Sequence, residues 1–196
     1  MYKDALGFIA IFLTIVAFLP YIKSILNGKT KPHVFSWVIW GSTTLIVFAA
    51  QLSDNAGAGA WPFGISGIIT IYVAFLAYMK KSDITITYSD WIFFIIAMSS
   101  IPVWYITSSP LWTVIVLTAI DIIGFAPTFR KAYYNPFEEN LTFFVIMGIR
   151  NLISTFAIVN YSIITTLFPA FMTLACAILV PMIIWRRNII DSHIVR

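Results

Sequence analysis

The sequence predicts an all-α polytopic membrane protein, with seven transmembrane helices in a 3+1+3 parallel-repeat arrangement, the N-terminus outside and the C-terminus cytoplasmic. Three observations predict it. Apolar runs of spanning length occur seven times, cations collect at alternate ends of those runs, and the first three runs recur in register in the last three. The composition agrees: 60% of the 196 residues are hydrophobic and 10% charged, with mean hydropathy +0.92, whereas a soluble globule carries about 25% charged residues.

A helix needs about 20 apolar residues to cross the hydrocarbon core. The runs that approach this length are 5–26, 34–53, 59–79, 89–107, 111–131, 141–160 and 163–185. The first lacks a small-residue cleavage site and carries Pro20 and Lys23 at its far end, so it is read as a retained helix and not a signal peptide. Pro20 removes a backbone hydrogen bond and is expected to kink it. The second follows Pro32 and contains Trp37, Trp40, Gly41 and the polar stretch Ser42 to Thr44; the third opens at Trp61 and Pro62 after a loop of small residues. The fourth runs from Ser89, Asp90 and Trp91 to Trp104 and Tyr105. Asp121, Gly124 and Pro127 lie in the fifth, Gly148, Arg150 and Asn151 in the sixth, and Pro169, Thr173, Cys176 and Pro181 in the seventh. The connections are too short for a soluble domain, so function is assigned to the bundle itself.

Lys23, Lys29 and Lys31 follow the first run, Lys80 and Lys81 the third, Arg130 and Lys131 the fifth, and Arg186, Arg187 and Arg196 the seventh; Lys3 alone stands on the other side. By the positive-inside rule the basic side is cytoplasmic. The net charge of +4 is thereby accounted for without a nucleic-acid partner. Trp61, Trp104, Trp112 and Tyr161 are expected in an outer aromatic belt and Tyr78, Trp91, Tyr133 and Trp185 in an inner one, with Trp37 also assigned to the membrane interface.

A gapless shift of 107 residues superposes Pro20 on Pro127, Gly41 on Gly148 and Pro62 on Pro169, and brings Lys23 to Arg130 and Lys80 to Arg187. The chain is therefore divided into one membrane domain of two three-helix halves, 5–81 and 111–188, joined by a linker helix at 88–107. The halves share direction, and a solute path is expected between them.

A proline near the inner end of the first and fifth helices followed by a cation, FLPYIK at 18–23 and FAPTFRK at 125–131, together with the seven-helix pattern, resembles the PQ-loop superfamily. That group includes the SWEET sugar facilitators, cystinosin-like exporters and, by fold, the KDEL receptor. Tyr21 and Thr128 stand where the motif has glutamine, and Pro32 and Pro136 loosely match further SWEET prolines. The resemblance implies a transporter of small polar solutes. It also implies a proton-coupling role for an acid in this part of the fifth helix, here Asp121. A W-x-x-W such as Trp37 to Trp40 is likewise a feature of the PnuC vitamin transporters.

Asp121 lies ten residues from either end of the stretch Leu111 to Lys131, and Arg150 at about the same depth in the next run. A charge at the bilayer centre costs roughly 2.5–3.5 kcal/mol on insertion scales, so such residues face a cavity or a partner. The two are expected to pair, either as a permanent tie between the fifth and sixth helices or as a pair that opens to bind a proton or solute. The substrate-binding or coupling set is Asp121, Arg150, Asn151, Trp40, Thr14, Thr43 and Thr44, with Pro20 and Pro127 as hinges. Glu138, Glu139, His33 and His193 are expected to be solvated bystanders. No H-E-x-x-H, G-x-S-x-G or metal-ligand cluster is present, and the seventh run has no lysine for a retinal Schiff base. An enzyme, a metal and a cofactor are therefore not expected. The expected partners are a small-molecule solute and the bilayer of a prokaryotic inner membrane, with a homo-oligomer allowed. The alternative function is a non-transporting receptor that uses the same cavity.

Overall fold

The computed structural model describes residues 1–28, 32–80, 86 and 88–194, apart from the side chains of 89, 90, 126, 127, 131, 138 and 191–194. The expectations for Lys29, Lys31, Lys81, Lys131, Asp90, Glu138, His193, Arg196 and the Pro127 ring fall outside this set. The described chain is helical throughout, without a strand: α1 Tyr2–Leu26, α2 Val34–Ser53, α3 Trp61–Met79, α4 Tyr88–Thr107, α5 Leu111–Tyr134, α6 Leu141–Ala157 and α7 Ile163–Ile194. Short 3₁₀ turns at Gly57–Gly59 and Pro136–Glu138 precede α3 and α6.

Five segments are long and apolar enough to cross a membrane: Tyr2–Leu26, Val34–Ser53, Gly57–Met79, Leu111–Tyr134 and Ile163–Ile190. Trp91–Thr107 and Leu141–Ala157 are shorter apolar helices. The run expected to continue to residue 160 stops at Ala157, because Ile158 turns to extended backbone and its carbonyl accepts the Lys3 ammonium at 2.6 Å.

Local chemistry explains the helix ends. His33 Nδ1 accepts the Ser36 amide and so caps α2, a structural role where none was expected. Asn140 Oδ1 caps α6 through the Phe143 amide at 3.0 Å. Pro62 occupies the first turn of α3, where its missing N–H costs nothing. Pro169, which the 107-residue shift pairs with it, lies inside α7, which begins at Ile163, so the two prolines do different jobs. α1 remains helical through Pro20.

Within residues 1–80, α3 packs against both α1 and α2; within 111–194, α7 packs against both α5 and α6. Neither α1 with α2 nor α5 with α6 forms a substantial pair. Gly41 lets α2 approach Ile71 of α3, and Gly148 lets α6 approach Cys176 of α7, where an added Cβ would meet the cysteine Cβ at 2.9 Å. The two triplets touch through α1 with α6 and α2 with α5, while α4 lies against α5 and α2. Trp61, Trp112 and Tyr161 near one end, and Tyr78, Trp91, Tyr133 and Trp185 near the other, are exposed as expected of aromatic belts. Trp104 and Trp37 are not: both are half-buried, and Trp37 is stacked on Tyr21 at 5.0 Å.

Candidate functional site

Four layers lie between the triplets. At the face that carries Met1, six hydrogen bonds among the described residues join residues 3–56 to residues 158–165, one of them from Lys3 to the Val159 carbonyl at 3.5 Å. Lys3 reaches the Ile158 carbonyl, Val159 N–H donates to the Ala56 carbonyl at 2.9 Å, and the Asn160 amide donates to the Asp54 carbonyl at 3.0 Å. Ser162 Oγ donates to the Asp54 carboxylate, and Gln51 Nε2 to the Thr165 carbonyl at 3.1 Å. Beneath this seam Val47, Phe63, Leu117, Ile120 and Phe168 form a buried apolar cluster drawn from α2, α3, α5 and α7. At the opposite, basic face the triplets meet through rings. Phe18 and Tyr21 of α1 contact Phe143 of α6 at 5.7 and 6.3 Å, and Trp37 of α2 contacts Phe18, Tyr21 and Trp40.

The polar residues singled out by sequence lie between these clusters. Thr14, Thr43, Asp121, Arg150 and Asn151 are all buried, and Trp40 and Thr44 are half-buried. Asp121 is 4% exposed and Arg150 2%, so neither is aimed at the lipid-facing surface. Position on α5 explains the burial of Asp121. Leu117, four residues earlier, packs in the cluster with Val47 of α2. Gly124, three residues later, lies against the Trp40 indole, whose Nε1 would be 3.2 Å from an added Cβ. Residues at i, i+4 and i+7 share a helix face, so Asp121 faces α2 at the level of Thr43.

Arg150 belongs to the other seam, between α1 and α6. The registers of Phe18 with Phe143 and Lys3 with Ile158 put Thr14 within about one turn of it. Its guanidinium lies over the Phe63 ring at 4.8 Å, and Nη1 donates to Asn151 Oδ1 at 2.7 Å. Thr14 and Thr43 donate their hydroxyl protons to their own helices, at Ala10 and Trp40 carbonyls 2.8 and 3.0 Å away.

The expected Asp121 to Arg150 ion pair is absent among the described residues. The physical reason is lateral: α7 separates α5 from α6, so equal depth does not bring the two charges together. Nor do the described residues give Asp121 any hydrogen-bond donor. Sequence reasoning missed two further polar residues, Ser154 and Gln51. Ser154 Oγ and Gln51 Oε1, like Arg150 Nε, are enclosed and lack a protein partner among the described residues. Ser154 was legible as a polar residue one turn beyond Arg150, while Gln51 was hidden at a helix end.

The described residues contain no group of three His, Cys, Asp or Glu placed to hold a metal ion. No family model, curated protein or solved structure matches the chain.

Proposed function

We propose that the protein is a membrane transporter or facilitator of a small polar solute, working by alternating access between α1–α3 and α5–α7. One observation carries this reading. A layer of buried, incompletely satisfied polar groups at Asp121 and Arg150 lies between the two triplets and is closed on one side by Phe63 and Phe168 and on the other by Phe18, Tyr21, Trp37 and Phe143. Buried polar groups without partners are few in stable proteins, and each marks a ligand, a water or a mechanism.

In this reading all seven helices span the bilayer, with the Met1 face outside and the basic face cytoplasmic. Support for two equivalent halves comes from packing. The inner cluster of Phe18, Ile22, Ile25, Trp37 and Leu76 recurs as Phe125, Phe129, Ala132, Phe144 and Ile183, each displaced by the same 107 residues. Asp121 carries the coupling proton or a cationic group of the solute, and Arg150 with Asn151 holds an anionic group. Trp40, Thr14, Thr43 and Thr44 line the path, and Pro20 and Pro127 lie where the cytoplasmic ends would bend. The resemblance to the PQ-loop superfamily points the same way.

The test is uptake into proteoliposomes under an imposed proton gradient. Asp121→Asn, which keeps the shape and removes the titratable group, is expected to abolish gradient-driven uptake while leaving folding intact. Solute binding without flux across a tight membrane would replace the transporter with a receptor.

A further inference from the structure

The free edge of Arg150 identifies the class of solute, an inference that rests on the transport reading for its setting but on side-chain geometry for its content. A guanidinium has two forked edges, one formed by Nη1 and Nη2 and the other by Nε and Nη2. Nη1 is committed to Asn151 Oδ1, while Nε is enclosed and has no partner, and the described residues give Nη2 none. The side-on edge is therefore free. Ser154 lies four residues further along the same face of α6, and its hydroxyl is equally enclosed and unpartnered.

A buried cation without a counter-charge is strongly unfavourable. Among the described residues no carboxylate lies within ion-pair distance of Arg150, and the Phe63 ring beneath it answers the charge only in part. A planar carboxylate matches the fork through two parallel N–H···O bonds, and Ser154 Oγ is placed to donate a third. A phosphate dianion fits less well: no second cation among the described residues is buried in this layer, and the additional negative charge would lie in the same layer as Asp121.

We propose that the Nε–Nη2 edge of Arg150, with the Ser154 hydroxyl, is a subsite for the carboxylate of a small solute. Asn151 is a positioning residue that fixes the guanidinium by occupying its other edge.

The experiment measures saturable stabilisation of the purified protein by acetate, lactate and glutamate, each against its neutral amide, with inorganic phosphate and chloride as further probes. The expected result is stabilisation by one or more carboxylates and not by the matching amides. Arg150→Gln should weaken that binding by at least about tenfold, and Arg150→Lys, which keeps the charge but not the fork, by an intermediate factor. Should Arg150→Gln not fold, Ser154→Ala carries the test, with weaker carboxylate binding expected in a stable protein. Equal effects of acid and amide, stabilisation by phosphate alone, no stabilisation by any carboxylate, or unchanged carboxylate binding in Ser154→Ala and Arg150→Lys would each overturn the subsite. Flux is scored separately. Carboxylate binding without transport would leave the subsite standing and remove the transporter, whereas transport without carboxylate preference would do the reverse.

Discussion

Gly59 shows how closely the two triplets approach at the Met1 face. A Cβ there would lie 2.7 Å from the Ser154 carbonyl oxygen and 2.8 Å from the Ile158 nitrogen, and both are backbone atoms that cannot rotate away. At Gly64 the obstacle at 2.9 Å is the Phe48 ring, which can swing aside. Gly59→Ala is therefore expected to cost roughly 1–3 kcal/mol, the usual range for overpacking, and Gly64→Ala distinctly less. Thermal unfolding of the two variants in detergent checks the order; equal losses would show that the seam yields as easily as a ring. Arg150 belongs to this scale as well. Its burial was legible from its depth in the sixth run, but which of its donors stay free depends on Asn151, and only coordinates show that bond.

At the scale of elements, the loop between α2 and α3 and the loop between α6 and α7 act as one latch. Asp54 is its centre, since its carboxylate accepts from Ser162 and its carbonyl from Asn160. Removing the carboxylate leaves the Ser162 hydroxyl without that acceptor and takes one of six bonds from the seam. Asp54→Ala is expected to speed the reaction of Val47→Cys with a membrane-impermeant maleimide several-fold, measured from the Met1 side in a Cys176→Ser background. Val47 is fully buried just beneath the seam, so an unchanged rate would mean that the apolar cluster and not the latch is the barrier. The length of α6 is also decided here. Hydropathy continues to residue 160, but the helix ends where backbone groups of 158 and 159 are claimed by Lys3 and Ala56.

For the molecule as a whole, ring contacts join the triplets at the basic face, where the other end has the hydrogen-bonded seam. Trp37 touches Phe18, Tyr21 and Trp40. Trp37→Ala is expected to open this end, raising the labelling of a cysteine placed at Thr43 by a reagent applied from the basic side. The stability cost should stay below the roughly 3–5 kcal/mol typical of Trp→Ala in water-soluble cores, because lipid is about as apolar as the interior and only the packing loss remains. Labelling no faster than in the parent protein would place the barrier elsewhere.

How much of this was legible follows from what a linear pattern can encode. Helix existence, alternating direction, the exposed aromatic belts and the depth of Asp121, Arg150, Thr14 and Thr43 come from hydropathy and charge read along the chain, because a bilayer sorts residues by depth. Gly41 and Gly148, which a 107-residue shift superposes, were also legible, since both stand at close helix contacts that few other residues can fill. Lateral neighbours carry no such signal. That α7 lies between α5 and α6, that Trp37 turns inward onto Tyr21, and that Asp121 and Arg150 stand in separate seams were decided only by the tertiary structure, because depth fixes one coordinate of a side chain and packing fixes the other two.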